Sequence, residues 1–151
     1  MRKFRFNLQR VLDYRRTIED ALLTELAAIQ GELERESSRL AELVQARDTF
    51  RQQMREHLAG GDPEDIRRAH SYLQQLGKQV SAQQANVRRI KDRKERKTDE
   101  VIEAARERKV LERLREQKVV QHRRETERQE QNFLDDLACI RYTNEARGNG
   151  E

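Results

Sequence analysis

Along most of this 151-residue chain, apolar residues recur at alternating steps of three and four, the spacing that aligns them on one face of an α-helix. From Leu22 the slots continue through Leu26, Ile29, Leu33, Glu36, Leu40, Leu43, Arg47, Phe50 and Met54, and only Glu36 and Arg47 break the stripe. Upstream, Leu8, Val11 and Ile18 extend it, with Arg15 in the missing slot and a local phase shift around Leu22. A second stripe runs through Ile66, Ala69, Leu73, Leu76, Val80, Gln83, Val87 and Ile90, then lapses at Lys94 and Lys97. It resumes with Val101, Ala104 or Ala105, Leu111 and Leu114, and a final cluster holds Phe133, Leu134, Leu137 and Ile140.

Between the two stripes lies Ala59-Gly60-Gly61-Asp62-Pro63, with the sole proline and the only glycine pair. Gly60 and Gly61 suit the left-handed conformation that ends a helix; Asp62 suits an N-cap and Pro63 the first helical position. Asp65, three residues after Asp62, resembles a capping box with Asp in the Glu position. At the other end, Asn7 reads as an N-cap and Phe6 as a hydrophobic staple on Val11. The prediction is an all-α chain of one domain: helix one about 7–58, a turn at 59–62, helix two about 63–142, and a disordered tail 143–151.

Two helices joined so tightly bury their stripes in each other by folding back as an antiparallel coiled-coil hairpin. Paired residue numbers then sum to roughly 122, which sets Leu8 near Leu114 and Phe50 near Tyr72. At ~1.5 Å per residue the helices would be about 80 Å and about 120 Å long, so the longer C-terminal helix overhangs. The overhang carries Phe133, Leu134, Leu137 and Ile140 without a partner in the chain.

Composition agrees with a seam and not with a layered core: 40% of residues are charged, 34% hydrophobic, none is Trp, and mean hydropathy is −1.13. The 32 basic and 28 acidic residues leave a net charge of +4, a mixed surface more than a polycation. One cysteine, Cys139, excludes an internal disulfide, and it does not sit at zinc-ligand spacing from His57, His70 or His122, which read as solvent-facing. Met1–Asn7 is basic but leads into no apolar segment, and no run is long enough to span a bilayer, so a cytoplasmic protein is expected.

No glycine-rich phosphate loop and no concave site for an acid–base pair is expected, so the chain reads as a non-enzyme without cofactor or metal. The run 88–97, seven of ten residues basic, has two readings. It is either a band for an acidic partner or nucleic acid, or a solvated face whose Lys94 and Lys97 reach out of the seam toward helix-one acids such as Glu25. Phe50 and Tyr72 are likewise seam residues or, for Tyr72, one position off its slot, an exposed contact. Gly77 in mid-helix marks a close approach or a bend, at about 1 kcal/mol relative to Ala.

Three stretches carry a resemblance. Phe4-x-Phe6-x-Leu8-x-x-Val11-Leu12-x-x-Arg15, the central glycine turn, and Glu107-Arg108-Lys109-x-Leu111-Glu112-x-Leu114 followed by Leu134-Asp135-Asp136-Leu137-Ala138 resemble the FliJ family of flagellar type III export proteins. The resemblance implies an antiparallel coiled coil similar to the rotor stalk of rotary ATP synthases. Its end bearing both termini would insert into the hexameric export ATPase FliI and promote its assembly and activity. A second surface would contact the cytoplasmic domain of the export gate FlhA, with FliH and export chaperones as further partners at the inner-membrane export apparatus that serves motility. Carried over by position, the gate surface falls on Leu43, Ala46, Phe50, Tyr72, Leu76 and Gln79; Ala46 and Gln79 depart from the apolar character of the others. The ATPase-binding end would offer Leu8, Val11 and Leu12 with Phe133, Leu134, Leu137 and Ile140.

Two other functions compete. A generic scaffolding coiled coil would pair its spare stripe with other helices and self-associate, whereas the stalk is a monomer or associates weakly with itself. A basic rod would bind nucleic acid through 88–97 with a steep salt dependence; the stalk reading expects no nucleic acid.

Overall fold

The computed structural model describes residues 3–57 and 59–148, and folds them into two helices, α1 (Gln9–His57) and α2 (Pro63–Gly148). Leu58 and the end of the expected tail, 149–151, lie outside the described residues. The chain forms two compact units: unit 1 is Met1–Thr17 with Ala104–Glu151, and unit 2 is Ile18–Glu103.

Unit 2 is a helical hairpin. Of the glycine pair, Gly60 alone takes the left-handed conformation, at φ 94°, where a side chain would be strained. Asp62 starts α2 twice over: its carboxylate accepts from Glu64 N–H at 3.2 Å and its carbonyl from Ile66 N–H at 3.1 Å. The two helical segments run antiparallel, as the pairs Glu25–Lys97, Glu36–Gln83 and Phe50–Tyr72 require. The Phe50 and Tyr72 rings meet edge to face at 4.7 Å, at the expected register.

The core of unit 2 is the expected seam: Ile29, Leu33, Leu76, Val80, Val87 and Ile90 are buried, and Leu40 packs against the cluster of Ile29, Leu33, Val87 and Ile90. Ile90 and Val80 lose essentially all contact with solvent, which contributes about 1.5–3 kcal/mol each relative to exposure. Ile66, placed in the seam by its spacing, is 37% exposed, at the turn end of the hairpin. Two of the polar slots, Glu36 and Gln83, answer one another. Gln83 Nε2 donates to the Glu36 carbonyl at 3.0 Å and to its carboxylate, and Asn86 adds a donor to that carboxylate at 3.3 Å. Lys97 stays in its slot, donating to Glu25 at 2.8 Å and to Glu100 at 2.9 Å.

In unit 1 the first residues meet α2 between 104 and 126. Residues 6–9 form a turn closed by Gln9 N–H to Phe6 O at 3.1 Å, and Leu8 O accepts the first helical bond, from Leu12 N–H. The helix therefore begins after Leu8, not at an Asn7 cap, because the turn already satisfies the Gln9 N–H. Leu12 is fully buried, whereas Val11, the expected seam residue, is 41% exposed. The regular alternation 26, 22, 19, 15, 12 continues without the phase shift, and Ile18 and Glu19 share a half-buried slot. Opposite, Ala104 is buried and Leu111 and Leu114 are half-buried. His122 is half-buried against Phe4, edge to face at 5.6 Å, and not solvent-facing; only His57 and His70 are exposed. The helix continues through 143–148, where a disordered tail was expected, with Thr143 Oγ1 bonded to the Cys139 and Ile140 carbonyls.

Two stability measurements check this seam. A Cβ placed on Gly77 meets nothing within 4 Å, so neither a close approach nor a contact requires glycine there. Gly77→Ala is expected to raise stability in urea by about 1 kcal/mol; a loss would contradict the open space around it. Gln83→Leu alone is expected to cost about 1–3 kcal/mol by stranding the Glu36 carboxylate, and the double change with Glu36→Leu to recover at least wild-type stability. Simple addition of two losses in the cycle would show that the pair is not coupled.

Candidate functional site

Within the described residues no group of three or more His, Cys, Asp or Glu side chains is placed to hold a metal, and no helix is long and apolar enough to cross a membrane. What the helices offer is surface, of two kinds.

The first lies on unit 2 around the Phe50–Tyr72 pair. Tyr72 is 49% exposed while Phe50 is half-buried beneath it, so the tyrosine ring is held by one edge contact and open on its other side. An open groove of about 490 Å³ runs beside them, lined by Glu42, Gln45, Ala46, Thr49, Phe50, Gln53 and Tyr72. Ala46 and Gln79 are exposed and Leu43 is half-buried, so these side chains reach solvent. Leu76 does not: it is 6% exposed, packed in the seam below, and holds the surface up without forming part of it.

The second lies on unit 1. Phe133, Leu134, Leu137 and Ile140 are 63%, 58%, 43% and 55% exposed, and every described residue from Glu127 to Arg147 is exposed. At steps of three and four they extend the face on which His122 and Thr126 are half-buried, so the stripe that α1 covers earlier in α2 continues uncovered. Leu8 and Val11 are also exposed, but Leu12 is wholly enclosed and cannot be offered to a partner. Sequence spacing set Leu8 near Leu114 but gave residues 4–7 no partner on α2; the arm 4–8 borders an open groove with Leu114, Lys118, Gln121, His122 and Glu125. The aromatic spacing Phe4-x-Phe6 before the helix was the signal available.

Ion pairs hold both units in register. Arg15 pairs with Glu107, Arg16 with Glu112 at 3.3 Å, and Arg108 with Glu112 at 2.7 Å; in unit 2 Arg93 pairs with Glu32. The basic run thus spends Arg93 and Lys97 on acids of α1, as a solvated, neutralised face would. The Arg108 hydrogen bond, followed by that from Arg16 and opposed by burial, holds the Glu112 carboxyl below its ordinary value. Hydrogen bonds to Glu25 and then Glu100 hold the Lys97 ammonium above its ordinary value.

The two paired helices with a buried apolar seam define a coiled-coil protein. The family model described as flagellar FliJ protein matches residues 4–147, and the chain belongs to that family, a non-catalytic component of the flagellar export apparatus. No curated protein and no solved structure matches the chain significantly.

The two shifted groups predict opposite pH limbs. Glu112, depressed, contributes stability above the ordinary carboxylate range that is lost as pH falls through its lowered value; Lys97, raised, contributes below the ordinary lysine range and loses it as pH rises through its raised value. Urea midpoints across pH should show Glu112→Gln flattening the acid limb alone and Lys97→Gln the alkaline limb alone. Crossed or absent effects would mean that these pairs do not contribute.

Proposed function

We propose that this chain is the stalk-like adaptor of the export apparatus, acting at the cytoplasmic side of the inner membrane. Unit 1 seats in the central opening of the hexameric ATPase FliI and promotes its assembly and hydrolysis. The Phe50–Tyr72 surface of unit 2 contacts the cytoplasmic domain of the export gate FlhA, and FliH and export chaperones are further partners. Family membership supports the setting. The observation that carries the ATPase contact is the uncovered stripe Phe133, Leu134, Leu137 and Ile140, an apolar face in line with the buried seam that needs a partner of matching shape. Leu8 and Val11 belong to the same binding end, with Leu12 as its internal support. On the gate side Leu43, Ala46, Phe50, Tyr72 and Gln79 make the contact over the buried Leu76.

Hydrolysis by the cognate ATPase tests this directly. Stimulation is expected to saturate at about one chain per ring, since a closed ring has one axis to fill. The triple change Phe133→Ala, Leu137→Ala, Ile140→Ala removes exposed side chains only and should leave helicity intact while lowering stimulation at least about tenfold, as loss of interface anchors does. Undiminished stimulation would remove the stripe from the ATPase contact; no stimulation by the wild type, with self-association instead, would favour a scaffold.

A further inference from the structure

Charge is unevenly spread over unit 1. Residues 1–17 and 104–126 hold fourteen basic against five acidic residues, whereas 127–151 hold three basic against six acidic. Three of the five acids of the basic part are already engaged: Asp13 by Gln9 and Arg16, Glu107 by Arg15, and Glu112 by Arg16 and Arg108. Arg5, Arg10 and Arg115 are exposed and, among the described residues, have no carboxylate partner. All three line one open groove of about 420 Å³ between the N-terminal arm and α2, together with Phe4, Phe6 and Asn7, and no acidic residue borders it.

Three guanidinium groups around one concavity leave a positive field there, and among the described residues that line it there is no carboxylate. Guanidinium binds planar carboxylates through paired N–H donors, and the flanking phenyl rings give apolar side chains a place to pack. We propose that the Arg5–Arg10–Arg115 groove binds an acidic peptide segment of a partner protein, one that alternates carboxylate and apolar side chains. A short segment fits better than nucleic acid, because the same helix turns acidic beyond residue 126 and would repel a phosphate track running along it.

The test uses the full chain and a fluorescein-labelled peptide of alternating glutamate and leucine, followed by anisotropy. Binding is expected to weaken between about 50 mM and about 300 mM salt, as exposed charge pairs are screened. The triple change Arg5→Gln, Arg10→Gln, Arg115→Gln should weaken it about tenfold at low salt, from three exposed pairs. Arg51→Gln, Arg55→Gln, Lys78→Gln removes the same charge from exposed positions of unit 2 and should leave binding within about twofold, if the site is local. Arg115→Glu, a single exposed change on α2, should weaken binding with the thermal melt preserved. Equal loss in both triple variants, absence of binding at low salt, or equal affinity for the peptide with glutamine in place of glutamate would each overturn the proposal. So would a single-stranded oligonucleotide that binds more tightly through the same three arginines.

Discussion

Everything in this structure depends on a seam one side chain deep. A helix pair has a single apolar stripe on each member to bury, and the largest side chains it encloses fully are Leu12, Ile90 and Val80. With so few, the order of residues along the seam matters more than the total area removed from water. Apolar contacts alone would tolerate a slip of one heptad, because leucine meets leucine again seven residues on. The Glu36–Gln83–Asn86 cluster does not tolerate it, since a slip would bury the Glu36 carboxylate against aliphatic side chains. Polar residues in the seam thus select the register that the apolar residues stabilise.

Much of this was legible in the amino-acid sequence because helix pairing is governed by short periods. The turn at Gly60 and Asp62, the seam from Leu22 to Met54 and from Ala69 to Ile90, the Phe50–Tyr72 pairing and the Glu25–Lys97 contact all follow from spacing plus one turn. Where spacing misled, a neighbouring interaction had changed the rule. Val11 and Leu12 differ by 100° around a helix, and only the uninterrupted alternation down from Leu26 selects Leu12. The Asn7 cap was superseded by a backbone turn, and His122 found a partner in an arm that carries no helical period at all.

The candidate surfaces were less legible than the fold for the same reason. Periodicity says which residues share a face but not whether that face is covered. Leu76 and Leu12 have the same residue type as Leu134 and Leu137, and only three-dimensional packing separates the pair that is enclosed from the pair that is offered. The Arg5–Arg10–Arg115 groove was invisible to a reading of the run 88–97, where basic residues are dense in sequence but partly matched by acids across the seam. Density of charge along a chain and unneutralised charge in space are different quantities.

The pairs that close unit 1 join residues far apart in the chain: Arg15 and Glu107 are separated by 92 positions, Arg16 and Glu112 by 96. Ribosomes add about 5–20 residues per second, so the N-terminal arm waits on the order of ten seconds for its counterpart to be made. During that interval unit 2, whose contacts close around its own turn, can already assemble, while Leu12 and Phe4 have nothing to cover them. Unit 1 can therefore close only after the segment of α2 that its arm packs against has been made.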